Sequence, residues 1–117
     1  MESRDRQCLR HIHSYCVEIL EAKRRFGNSF DAFLSDRDYQ KSVSFSILQI
    51  GELCGRISME LRNQNPGIQW KSIIGMRNIV VHDYGHIEHR IVWNTVINGI
   101  PELQRFCEEQ LGLSVDL

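Results

Sequence analysis

Val43-Ser44-Phe45-Ser46-Ile47-Leu48-Gln49-Ile50-Gly51-Glu52-Leu53-Cys54-Gly55-Arg56-Ile57-Ser58-Met59-Glu60-Leu61 is the stretch whose reading decides the fold. Within it Val43, Ile47, Ile50, Cys54, Ile57 and Leu61 recur at steps of 4, 3, 4, 3 and 4. Such spacing is the packing seam of an amphipathic helix. A second stripe, Phe45, Leu48, Glu52 and Met59, lies on the other side. A helix with two apolar faces is central, or it is core on one face and interface on the other. Gly51 and Gly55 are four apart and would let another backbone come close. The helix is expected to run from about Asp36 to Arg62.

The same period extends outward. Cys8, Leu9, Ile12, Tyr15, Cys16, Ile19, Leu20 and Phe26 predict a first helix from about residue 4 to 26. Gly27-Asn28-Ser29 ends it, and Ser29 can cap a short helical turn reaching Leu34. Asn65-Pro66-Gly67 is the clearest break. A third helix is expected from about Trp70 to Val81. A fourth starts near Ile87, and Pro101 kinks it or restarts it as Pro101 to Leu111. No alternating strand pattern occurs. The expected fold is all-α, a four- or five-helix bundle forming a single domain over residues 1–117.

Composition sets bounds on function. With 117 residues, 42% hydrophobic and 25% charged, the chain has the make-up of an ordinary soluble domain. A net charge of −1 does not announce a nucleic-acid binder, so any RNA contact must come from a local patch. Residues 1–26 carry six basic and four acidic side chains, whereas residues 94–117 carry one and four. Cys8, Cys16, Cys54 and Cys107 form no Cys-x-x-Cys pair and fall in apolar helical patterns, as inert buried thiols do. No signal peptide or membrane span is expected, which points to the cytoplasm. Phosphate loops, Gly-x-Ser-x-Gly elbows and His-Glu-x-x-His motifs do not occur.

The third helix carries the polar residues that stand out. Ile73, Ile74, Met76, Ile79, Val80 and Val81 cover most of its circumference, which predicts burial nearly all round. Yet it also carries Arg77, Asn78 and His82. Burying unsatisfied polar groups costs roughly 2–7 kcal/mol each. Three arrangements would offset that cost: an ion pair from Glu52 to Arg77, a wet groove at a subunit seam, or a bound anion such as phosphate. A structural polar cluster and a catalytic or anion site both remain open on spacing alone. Beyond lies His82-Asp83-Tyr84-Gly85-His86, in which Gly85 would end the helix and leave Tyr84 near a terminus and accessible. His82, His86 and His89 are spaced four and three apart, but no further ligand set completes a metal site, and none is expected. His11 and His13 are expected on different, solvent-exposed faces.

Arg77, four residues, His82, one residue, Tyr84: this pattern resembles the signature of the HepT-like toxins of the HEPN superfamily. Asn78 supplies the polar residue that the HEPN pattern places after its arginine. Ile50-Gly51-Glu52-Leu53, Asn65-Pro66, Trp70, Ile73-Ile74-Gly75-Met76, Val92-Trp93 and Ile100-Pro101-Glu102-Leu103 also look like the family, so the likeness covers about residues 36 to 105. The resemblance implies a helical homodimer with both Arg/His motifs facing a cleft at the subunit interface. It implies the toxin half of a type VII-like toxin–antitoxin pair, a metal-independent ribonuclease acting on tRNA or mRNA without a cofactor. The implied partner is a minimal nucleotidyltransferase (MNT) antitoxin that places AMP on Tyr84. In that reading Arg77 and His82 are catalytic, with Asn78, Glu52 and Asp83 supporting. The alternative is a non-catalytic HEPN module or scaffold that binds a nucleotidyltransferase or a nucleotide.

Overall fold

In the computed structural model the described residues are 1–82 and 88–113, with no side chains described at 79–82. Among these residues seven α-helices follow one another: α1 (Ser3–Phe26), α2 (Phe30–Ser35), α3 (Arg37–Cys54), α4 (Met59–Gln64), α5 (Trp70–His82), α6 (His89–Asn94) and α7 (Ile100–Leu111). A π-helical turn, Thr95–Gly99, joins α6 to α7 without a break. The result is a bundle of four long rods, counting α6 to α7 as one, with α2 and α4 as short caps. No strand occurs among the described residues.

α3 is the central rod. It packs on α1 along one side and on α5 along another, while α7 closes on α1. The seam read from sequence is the core: Val43, Ile47, Ile50, Cys54, Ile57 and Leu61 are all buried. They meet Leu9, Ile12, Cys16 and Ile19 of α1 in one apolar cluster. Each such burial stabilises by about 1.5–3 kcal/mol. The second stripe is not core. Phe45 and Met59 are 55% and 60% exposed.

One long helix from Asp36 to Arg62 is corrected by the structure. α3 stops at Cys54, and α4 begins at Met59. Local polar chemistry overrides the hydrophobic period. The Ser58 hydroxyl caps α4 by accepting from the Leu61 N–H at 3.2 Å. Buried Asp5 of α1 accepts from the Ser58 N–H at 2.9 Å and from its hydroxyl at 2.6 Å. Arg62 donates to the carbonyls of Ile57 and Gly55, satisfying the turn. Apolar register survives the break because Ile57 stays buried inside it.

The fourth rod restarts at the proline as expected: α7 opens at Ile100 with Pro101 in its first turn, and the π turn joins it to α6. Pro101 has no N–H to give to the turn before it, and its ring crowds the preceding carbonyls. The chain answers with the wider π turn, in which the Ile100 N–H reaches the Thr95 carbonyl. At its other end this rod closes an aromatic cluster. Phe33 stacks on Trp93 at 5.4 Å and meets Tyr39 edge-on at 5.2 Å, and Tyr39 stacks on Phe26 at 5.1 Å. His13 is not a free surface residue. Its Nε2 lies 3.0 Å from Glu108 and ties α1 to α7.

Candidate functional site

The site is built on the line where α3 meets α5. Gly51 makes the close approach possible. A Cβ there would sit 3.2 Å from the Arg77 Cβ and 3.3 Å from the Ile73 carbonyl oxygen. Both are backbone-fixed atoms that cannot swing aside. Gly51 therefore sets where Arg77 stands. The expectation for Gly55 does not hold, since a Cβ there would meet only carbonyls of its own helix.

Glu52, next along α3, completes the contact. Its Oε1 lies 2.6 Å from Nε of Arg77. Of the three arrangements open at the sequence level, this ion pair is the one seen. It holds the guanidinium through Nε, and among the described residues the two terminal nitrogens have no partner. The expectation of burial all round α5 is corrected here. Ile73 and Met76 are buried, but Ile74 is half-buried and Asn78 is exposed. The Arg77 and Glu52 side chains are 51% and 38% exposed. The pair is thus a displayed charge, worth ~0–1 kcal/mol of stability, and not a core network.

α5 continues through His82. Positions 78 and 82 therefore lie one helical turn apart on the same backbone rod. The side chain of His82, and all of Asp83, Tyr84 and His86, lie outside the described residues. Among those described, no group of three His, Cys, Asp or Glu side chains converges as metal ligands.

The thiols behave as the sequence suggested. All four cysteines are free and buried. Burial pushes Cys16 and Cys54 well above the ordinary thiol value, and Cys107 up to about 12. None of these three offers a thiolate nucleophile near neutral pH.

The arrangement presents a displayed arginine, gripped from behind by a carboxylate, five residues before a histidine on one helix. A family model described as Ribonuclease HepT-like matches residues 7–110. The chain belongs to the ribonuclease HepT-like family. This is the family that the Arg77–His82–Tyr84 pattern resembles, and the bundle is all-α as that resemblance implies. The HepT-like chain is 33% identical over 106 residues to a protein of Caldanaerobacter subterraneus subsp. tengcongensis named "Putative RNase", covering 91% of this chain and 93% of the relative. It is 32% identical over 88 residues to "Probable ribonuclease HepT" of Thermococcus cleftensis, covering 75% and 79%. A Methanocaldococcus jannaschii protein named "Putative RNase" is 32% identical over 103 residues, covering 84% and 85%. No solved structure matches the HepT-like chain.

Two features of the site escaped sequence reasoning. One is the strength of the Gly51–Arg77 contact, which needs the helix crossing to be known. The other is the break at Cys54, which ends α3 within a turn of Glu52. Ser58 three residues before Leu61 was the available signal for that new helix start.

Proposed function

We propose that this HepT-like protein is a ribonuclease toxin whose Arg77 and His82 cleave RNA. The observation that carries the reading is the exposed Arg77 guanidinium, fixed by Glu52 at 2.6 Å through Nε, with its outer nitrogens unpartnered among the described residues. Membership of a family described as ribonuclease supports it. In the proposed reaction the 2′-hydroxyl of a ribose attacks the adjacent phosphorus and gives up its proton. The 5′-oxygen of the next nucleotide leaves and takes one up, so a 2′,3′-cyclic phosphate and a 5′-hydroxyl result. His82 moves these protons, since imidazole titrates near neutrality. Arg77 stabilises the charge building on the non-bridging phosphorane oxygens, for which its planar fork is suited. Asn78 and Asp83 help to orient His82, and Glu52 orients Arg77. The chemistry asks for no metal.

A homodimer would set two such motifs around one scissile phosphate. The exposed Phe45 and Met59 on the stripe that also carries Glu52 support an interface there. Control is assigned to an MNT-type nucleotidyltransferase that transfers AMP to Tyr84. AMP would add bulk and negative charge to the motif and repel RNA. Expression of the toxin alone is expected to arrest growth, and His82→Ala is expected to relieve the arrest. Co-expression with such a nucleotidyltransferase should add one or more AMP units by intact mass, and Tyr84→Phe should abolish the gain. Growth arrest by His82→Ala protein would sink the catalytic assignment, and AMP addition to the Tyr84→Phe protein would sink the switch.

A further inference from the structure

A groove of about 1030 Å³ runs between α5 and the rod formed by α6, the π turn and α7. One wall presents Gln69, Ser72 and Gly75, and the other presents Asn94, Asn98 and Gly99. Ile73, Met76 and the 43%-exposed Ile91 make its floor apolar. Its volume is that of a small-molecule site.

Its two glycines have no packing reason to be there. Each costs its helix about 1 kcal/mol relative to alanine. A Cβ on Gly75 would meet nothing within 4 Å, and one on Gly99 would meet the Thr95 Cγ2 at an ordinary 3.6 Å. Gly51, jammed against Arg77, is the contrast. Gly75 and Gly99 leave the groove open where side chains would narrow it.

The lining has the polarity of a base reader. Asn98 Nδ2 donates to Asn94 Oδ1 at 2.8 Å. That bond ties the two amides together and leaves the Asn94 amide nitrogen and the Asn98 amide oxygen as a further donor and acceptor in the lining. Paired donor and acceptor groups on an amide are what match the edge of a base. Glu88 and Glu102 add carboxylate acceptors, which suit exocyclic amino groups. Arg90 is the one cation lining the groove among the described residues. Its guanidinium is steadied over the Phe30 ring at 4.8 Å. With two carboxylates against one guanidinium, the groove is not a track for a row of phosphates.

We infer that this groove is a nucleotide subsite. It takes a ribonucleotide base bearing an exocyclic amino group, with Arg90 on the attached phosphate. Arg90 stands in the first turn of α6, eight residues after His82 at the end of α5, and on the ribonuclease reading a strand held there continues to the motif. The inference rests on the ribonuclease reading for that placement, and it adds a specificity site that the reading does not contain. The nucleotide comes either within single-stranded RNA or free.

Fluorescence anisotropy with labelled 2′-O-methyl oligomers of A, C or U, which resist cleavage, tests it alongside AMP titration. The A and C oligomers are expected to bind at least tenfold more tightly than U. Gly75→Leu, which fills the groove while improving helix propensity, and Asn98→Ala should each erase that preference without lowering Tm. AMP binding that depends on Gly75, with no oligomer bound, retains the base site and assigns it to a free nucleotide. Affinities unchanged within twofold in both variants, or no binding of any probe, overturn the inference. Loss of cleavage in Arg77→Ala beside a base preference indifferent to the groove variants sinks this inference alone. A groove-dependent preference in a protein that cleaves nothing sinks the ribonuclease reading alone.

Discussion

At the scale of single residues, the decisive quantity is the exposure of the Glu52–Arg77 pair. Both side chains are more than a third exposed, so the pair contributes little to folding. Its value lies in aiming the guanidinium. Glu52→Gln is therefore expected to change unfolding free energy by less than about 1 kcal/mol. It should lower RNA cleavage at least tenfold, with the loss in kcat. A variant equally active to wild type would show that Glu52 does not position Arg77. The pairing was legible in the sequence because Glu52 sat among apolar neighbours opposite a helix with an unmatched arginine. The exposure was not legible. The apolar residues of α5 suggested a buried rod, and only the assembled bundle shows Arg77 and Asn78 on an open side.

At the scale of elements, hydrophobic period located the rods and polar capping located their ends. The seam from Val43 to Leu61 gave the right face along its whole length. It could not reveal the break after Cys54, because that break depends on Asp5, 53 residues away from Ser58. A long-range hydrogen bond leaves no local periodicity. Asp5→Ala removes the acceptor of both Ser58 groups and leaves a part-buried N–H unsatisfied. It is expected to destabilise the fold by about 2 kcal/mol in urea unfolding. No destabilisation would mean that the α3–α4 turn holds without Asp5. The π turn before Pro101 is a similar case. The proline announced the restart of the helix at Ile100, but the π turn that keeps the rod continuous, with Val96 and Ile100 in the core, left no mark in the hydrophobic period.

At the scale of the whole molecule, buried thiols link stability to pH. Burial raises Cys16, Cys54 and Cys107 in the folded state, the last from 9.0 to about 12. Tyr39 is raised from 10.0 to about 12 for the same reason. These groups are neutral when protonated, so between those values the folded chain holds protons that the unfolded chain has lost. Their contribution is fully present below about pH 9 and is lost as pH rises toward 12. Thermal unfolding followed from pH 7 to 11 should show Tm falling above pH 9, and a flat profile would contradict the burial of these groups.

The family and the bundle together bear on one central claim, that Arg77 and His82 cut RNA. The most direct test incubates purified wild type, Arg77→Ala and His82→Ala proteins with a tRNA pool in the presence of a chelator. The account predicts cleavage by wild type leaving 2′,3′-cyclic phosphate ends, with at least a hundredfold loss in each variant at unchanged helix content by circular dichroism. Cleavage that persists in either folded variant, or that vanishes with the chelator in wild type, would contradict it.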